Sequence, residues 1–235
     1  MCIIAIQPIG KKIKDSTLRN CWDNNNDGAG IMYAIDGKVI VHKELYSFDK
    51  FLAHKKQIDK LGVNIVLHFR ISTSGMIDKN NIHPFKVNEN LYFCHNGILD
   101  IHVPNDSKVN DTQIYNNVFL KGMHPKFIYN EATRNLIQYS IGQRNKFVFL
   151  DNKGQFFILN EQQGSWVDGI WYSNETYSYS YKGYSYKGKN TKIQTSSFEP
   201  VECECCGCLH TELIYSTEWD MDICPSCIEF AELKY

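Results

Sequence analysis

The chain has no apolar run approaching the roughly 20 residues that a bilayer-spanning helix needs, so no membrane span is expected. No basic stretch precedes the apolar residues of its opening, MCIIAIQPIGKK, so the start does not read as a signal peptide. Charge of one sign is not in excess either. Lys and Arg total 25 and Asp and Glu 26, for a formal net charge of −1, which leaves no global field drawing the chain to nucleic acid or membrane. Regular alternation of strand and helix signals is also missing, which argues against a doubly wound parallel fold. What is present is a globular composition, 43% hydrophobic and 22% charged over 235 residues, enough for one large domain, or one plus a small module.

Cysteine is unevenly spread: of nine, six fall between Cys203 and Cys227 with CxxC spacing. That clustering reads as metal binding rather than a disulfide framework, and the pattern as a whole fits a reducing cytoplasm. Cys21 and Cys94 read as small buried hydrophobes.

Residues 2–7 read as a strand. Residues 28–45 read as a hairpin turning at Asp36-Gly37. A helix follows, capped by Ser47. NIVLHFRIS and LYFCHNGIL read as strands, NDTQIYNNVFLKGM as a helix starting at Asn110 or Asp111, and FIYNEATRNLIQYSI as a second helix. KFVFLDNKGQFFILN reads as a hairpin and GIWYSNE as a last strand. Hairpins dominate, so antiparallel sheets covered by segregated helices are expected, an α+β fold.

Cys2 stands directly behind Met1. Removal of the methionine would leave a terminal residue carrying both a thiol, with pKa near ~8.5, and an amine near ~7.7–8.0 that can take its proton. Asn96 and Gly97, in FCHNGIL, offer a side-chain amide and a backbone N–H that a bound oxyanion requires, although Asn-Gly is equally a common turn. Arg70 sits in an apolar strand, where a charge needs a specific partner, and can grip a carboxylate through two parallel hydrogen bonds; it could also be a surface ion pair. Asp111 can pair with an ammonium or serve as a helix N-cap. Asp27, Gly28 and Gly30 read as a turn passing close to Cys2. His68, His83 and His95 read as structural core histidines.

Cys2, NNNDGAGIMY at 24–33, HFRISTSG at 68–75, NIHPF at 81–85, FCHNGIL at 93–99 and NDTQ at 110–113 stand in the order seen in class II glutamine amidotransferases, which the chain resembles over residues 2–174. The resemblance implies the N-terminal nucleophile (Ntn) hydrolase fold, a four-layer αββα sandwich of two antiparallel sheets between helices. It implies that Cys2 attacks the side-chain amide of glutamine, releasing ammonia through a glutamyl thioester. By the same resemblance Asn96 and Gly97 form the oxyanion hole, while Arg70 and Asp111 bind the substrate, assisted by backbone near Thr73 and Ser74. Any ammonia-accepting synthase would be a separate chain. Ile3, Ser72 and Gln113 depart from the common pattern and leave room for another γ-glutamyl amide as substrate. A non-catalytic assembly protein keeping the fold is the contrasting reading; the retained Cys2, Arg70, Asn96, Gly97 and Asp111 argue against it.

After Asn174 the composition shifts. Residues 176–198 hold four lysines, five tyrosines and no acid, and 175–199 read as a linker or exposed hairpin. Residues 200–235 read as a zinc-ribbon-like module. Cys203, Cys206, Cys224 and Cys227 are the expected ligands of a structural Zn²⁺, with Cys205 and Cys208 a competing pair in shifted register. So short a module buries too little core to fold alone, whereas zinc binding can supply ~10–16 kcal/mol. Eight acids against the single Lys234 over these residues argue against nucleic acid as partner.

Overall fold

The structure is a computed structural model. It describes residues 2–72, 76–104 and 107–179, and beyond them the strand segments 201–202, 209–210, 214–216 and 221–223. The chain divides into two units, Met1–Ser185 and Tyr186–Tyr235. In the second, Val201–Glu202 pairs with Leu209–His210 and Ile214–Ser216 with Met221–Ile223, both antiparallel. Cys203, Cys205, Cys206, Cys208, Cys224 and Cys227 lie outside the described residues, as do Thr73, Ser74 and the 175–199 segment beyond Tyr179.

Among its described residues the first unit is built from two antiparallel sheets and four α-helices. In chain order these are β1 (Ile3–Gln7), α1 (Asp15–Asn24), β2 (Ala29–Ile35), β3 (Lys38–Glu44), α2 (Phe48–Ile58), β4 (Ile65–Phe69), β5 (Phe85–Asn88), β6 (Leu91–Asn96), α3 (Asp111–Val118), α4 (Glu131–Ile141), β7 (Lys146–Asp151), β8 (Phe156–Leu159), β9 (Ser165–Val167) and β10 (Ile170–Tyr172). The larger sheet has the order β3-β2-β4-β1-β10-β9 and the smaller β5-β6-β7-β8. Among the described residues no helix is long and apolar enough to cross a membrane.

Burial on both faces explains the unbroken apolar run of β1. Ile3 and Ala5 face a core shared with Leu18, Cys21 and Trp22 of α1 and Phe48, Phe51 and Ile58 of α2. Ile4 and Ile6 point the other way, into a second core with Met32, Val66 and Trp171 that meets Cys94, Val148 and Leu150 of the smaller sheet. The far face of that sheet, with Phe93, Phe147 and Phe149, packs against Tyr115 of α3 and Ile137 and Ile141 of α4. Strand alternation thus sends successive side chains of one strand into different cores.

Local chemistry sets the element ends. The β2–β3 turn uses Asp36 and Gly37, both at positive φ (50° and 72°), as a two-residue hairpin of matching twist requires. Ser47 caps α2 by accepting from the Lys50 N–H at 3.3 Å. For α3 the capping side chain is Asn110, which accepts from the Gln113 N–H at 2.9 Å, and Asp111 is the first helical residue. The N-cap alternative for Asp111 is therefore corrected. α2 is tied to the end of β1 through a charge in the core: the Lys55 ammonium donates to Gln7 Oε1 at 2.7 Å and to Asp59 Oδ1 at 2.8 Å. Residues 175–179 continue along α1, where Tyr177 stacks on Tyr172 with ring centroids 3.8 Å apart and the Asn20 side chain donates to the Tyr177 carbonyl.

Candidate active site

Cys2 immediately precedes β1, which lies between β4 and β10 in the larger sheet. Its position is therefore set from both sides. From the β4 side, Ile71 engages the sulfur twice: the thiol donates to the Ile71 carbonyl at 3.3 Å, and the Ile71 N–H approaches Sγ at 3.4 Å. From the β10 side, the Asn174 side-chain amide donates to the Cys2 carbonyl at 2.7 Å. Burial raises the thiol pKa, opposed by the Ile71 N–H and by the charge of Arg70. The resting group is a neutral thiol that needs a local base to react.

Arg70 follows β4 and is buried. The Asp27–Gly28 segment brackets its backbone: the Arg70 N–H donates to the Gly28 carbonyl at 2.8 Å, and the Asp27 N–H donates to the Arg70 carbonyl at 2.9 Å. The Asp27 carboxylate also accepts from the Ser72 N–H at 2.7 Å. The guanidinium donates to Ser72 Oγ at 2.9 Å and to the Met76 carbonyl at 3.2 Å. Burial lowers its pKa, while Cys2 once ionised, Asp27 and Asp78 favour the charged form. A surface ion pair, the alternative for Arg70, is thereby corrected.

Asn96 ends β6 and Gly97 follows at φ +145°, a conformation L side chains rarely adopt. A Cβ at Gly97 would also lie 2.1 Å from Asn145 Oδ1, so glycine is required there twice over. The Asn96 Nδ2 donates to Ser173 Oγ at 2.8 Å, and its Oδ1, though buried, has no partner among the described residues. Asp111 pins the loop after Gly97, since its Oδ2 accepts from the Leu99 N–H at 2.8 Å and its Oδ1 from the Thr112 N–H at 2.7 Å.

These segments meet at a cavity of ≈ 20 Å³ lined by Cys2, Arg70, Gly97 and Asp111, together with His83 and His95. Asn96 is not among the residues that line it. Such a volume has room for about one water molecule.

The three histidines behave differently from one another. His95 is fully satisfied: its Nε2 donates to Asn145 Oδ1 at 2.8 Å, which leaves Nδ1 to accept from Thr112 Oγ1 at 2.7 Å. His68 Nε2 donates to the His95 carbonyl at 3.1 Å, and its Nδ1 is unpartnered. His83 has neither ring nitrogen partnered among the described residues although the side chain is buried, so reading it as a satisfied core histidine is corrected. Burial pushes the pKa of His68 down to about 3, and it lowers His83 and His95 as well. Gly30 lies in β2 rather than in a turn. A Cβ there would stand 1.8 Å from the His83 carbonyl, so the strand and the His83 segment touch backbone to backbone.

Ser173 and Asn174, at the end of β10, carry no motif signal, yet they bond to Asn96, to Ile4 and to Cys2. Among the described residues no group of three or more His, Cys, Asp or Glu is placed to hold a metal ion.

No protein-family profile matches the sequence, and no curated protein matches it. Among solved structures, the chain is similar to the glutamine phosphoribosylpyrophosphate amidotransferase from B. subtilis complexed with ADP and GMP, with 16% identity, TM-score 0.45, and coverage of 73% of this chain and 41% of that one. It is also similar to an allosteric regulatory enzyme of purine biosynthesis, at 18% identity and TM-score 0.43, again over 73% of this chain and 41% of that one. A third is a glutamine aminotransferase class-II domain protein from Silicibacter pomeroyi, at 13% identity and TM-score 0.37, over 73% of this chain and 87% of that one. The chain thus spans well under half the length of the first two. These likenesses are distant in sequence and in superposition, and the functional reading rests on the site itself.

Proposed function

We propose that the chain is a glutamine-hydrolysing amidotransferase of the Ntn hydrolase type. The observation that carries this reading is the convergence of Cys2, Arg70, Gly97 and Asp111, from four separate stretches of sequence, on one cavity.

With Met1 removed, the Cys2 amine takes the thiol proton and the sulfur attacks the side-chain carbonyl carbon of glutamine. A C–S bond forms and negative charge develops on the oxygen, where the Gly97 N–H and the Asn96 amide stabilise it. Collapse breaks the C–N bond. The amine returns its proton to the leaving nitrogen, ammonia departs, and a glutamyl thioester remains. Water then adds to the thioester, the C–S bond breaks, and glutamate leaves as the thiol is restored. Glutamine plus water gives glutamate plus ammonia. Arg70 takes the substrate α-carboxylate and Asp111 the α-ammonium, helped by backbone near Thr73 and Ser74. Because the cavity holds about one water, glutamine enters only as lining side chains part. For the tail we propose a structural zinc on Cys203, Cys206, Cys224 and Cys227, supported by their spacing.

The test is a glutamine-analogue electrophile followed by peptide mapping, alongside a glutamate-release assay. The adduct is expected on Cys2, and Cys2→Ala should abolish glutamate release without unfolding the protein. Cys21 and Cys94 are buried, with thiol pKa values pushed well up by burial, and should stay unlabelled. An adduct on either of them with Cys2 untouched, or a wild-type protein that releases no glutamate, would overturn the proposal.

A further inference from the structure

We propose that Ser173 is a positioning residue that turns the Asn96 amide so that its N–H₂ group, and not its carbonyl, is presented to the developing oxyanion. The inference rests on the glutamine-hydrolysing reading above and adds a residue to it.

Two defects sit side by side at this point of the core. Asn96 Oδ1 is buried without a partner. Ser173, fully buried, has an Oγ that accepts from the Ile4 N–H at 2.8 Å and from Asn96 Nδ2 at 2.8 Å, so its own proton has no acceptor among the described residues. A serine hydroxyl carries one donor and two acceptor sites, and the two ends of an asparagine amide are told apart only by their hydrogen bonds. Rotating the Asn96 amide by half a turn pairs the hydroxyl proton with Oδ1 and leaves the amide's other end a donor instead of a carbonyl. The hydroxyl still accepts from Ile4, now donates to Asn96 Oδ1, and Nδ2 moves to the place that Oδ1 held, which no donor reaches among the described residues. An orphaned buried carbonyl is costly, and a carbonyl there would repel the oxyanion. An N–H₂ held rigidly in that place can donate to a transient anion.

The Ile4 N–H is the reason the hydroxyl proton points towards Asn96. It occupies a Ser173 lone pair and directs the remaining hydrogen elsewhere. Ser173 also donates its own N–H to the Ile4 carbonyl at 2.9 Å, closing a two-bond clasp on the strand that begins beside the nucleophile. The oxyanion donor and the nucleophile strand are thereby referenced to one residue.

The experiment is a double-mutant cycle on glutamate release with Ser173→Ala, Asn96→Ala and the pair, together with the rate of Cys2 alkylation by iodoacetamide in each. Ser173→Ala should lower kcat on the order of 10²-fold with little change in KM, because the lost contact exists only in the transition state. Alkylation of Cys2 should keep its wild-type rate. In the Asn96→Ala background, Ser173→Ala should cost nothing further. Ser173→Cys, close in shape but a poor donor, replaces the alanine variant if that one fails to fold. Additive losses in the cycle, or a parallel fall in alkylation, would show that Ser173 merely supports β1 and would overturn the inference while leaving the proposed function standing. A wild-type protein without glutamate release would overturn both.

Discussion

Acidification is expected to unfold this protein through its buried histidines. In the native state His68 is uncharged, its pKa pushed down to about 3 by burial, with the bond to the His95 carbonyl opposing the shift. In the unfolded chain the ring titrates near ~6.5. Between those values the unfolded chain binds a proton that the native state refuses. Stability therefore rises with pH up to about 6.5, is flat above it, and is lost as pH falls below it. Going from pH 7.5 to pH 5 crosses about 1.5 units of this window, which at ~1.4 kcal/mol per unit is about 2 kcal/mol from His68 alone. His83 moves in the same direction through burial and the neighbouring His68 and His95. His95 does so through burial, with Asp111 opposing. Against a total stability of about 5–15 kcal/mol the effect is large.

Urea unfolding followed by tryptophan fluorescence gives the measurement. With a slope of ~2 kcal/mol/M, the His68 share alone lowers the midpoint by about 1 M between pH 7.5 and pH 5. His68→Gln, which keeps an N–H₂ donor near the His95 carbonyl but cannot titrate, should remove about 2 kcal/mol of the pH dependence. A midpoint unchanged across this range, or an unchanged slope in His68→Gln, would refute the picture of neutral buried rings.

Loss of the Arg70 or Asp111 charge should weaken discrimination between glutamine and simple amides by about 2–5 kcal/mol where the charge pair is desolvated, read as kcat/KM for each substrate in Arg70→Ala and Asp111→Asn. Wild-type kcat/KM for glutamine in both would show that the substrate is another molecule. Gly30→Ala should destabilise the protein by more than the ~1–3 kcal/mol typical of overpacking, because the new Cβ meets the His83 backbone carbonyl at 1.8 Å; a thermal melt matching wild type would contradict that close approach. Strong chelation should release one zinc per chain and speed proteolysis within residues 200–235 while glutamate release persists. Metal analysis without zinc, or zinc lost only in a Cys205→Ser, Cys208→Ser double variant, would replace the ligand set.

The parts legible in the sequence were those with a period or a turn signature. β1, β2–β3, β4, β6 and β7–β8 announce themselves by apolar runs and Gly-containing turns, and Ser47 marks the start of α2. The residues around Cys2 were legible because HFR, HNG and NDT are spaced motifs, and the structure does bring Cys2, Arg70, Gly97 and Asp111 to one cavity. α1 went unread because DSTLRNCWDN is mostly polar and has no capping side chain; only Leu18, Cys21 and Trp22 are buried. β9 is exposed along its whole length, so it lacks the alternation that marks a half-buried strand. Asn110 and Asp111 both suit an N-cap, and only geometry separates them. The contacts of Ser173 and Asn174 were not legible either. A single polar residue at a strand end carries no spacing, and what it touches depends on which strand lies beside it in space.

The placement of β1 carries a consequence for how the molecule comes into being. The first strand is wedged between β4 and β10, and the bond from Asn174 to the Cys2 carbonyl joins residues 172 positions apart. Contacts so remote in sequence are slow to form, and during synthesis they must wait for the later residues to leave the ribosome. Residues 3–7 therefore lack their β10 neighbour until residues 170–172 have been made. Only when residues 170–174 arrive is β1 held on both sides. Closure of the sheet around Cys2 is in this way ordered by topology, with the contacts from residues 170–174 among the last that the chain can make.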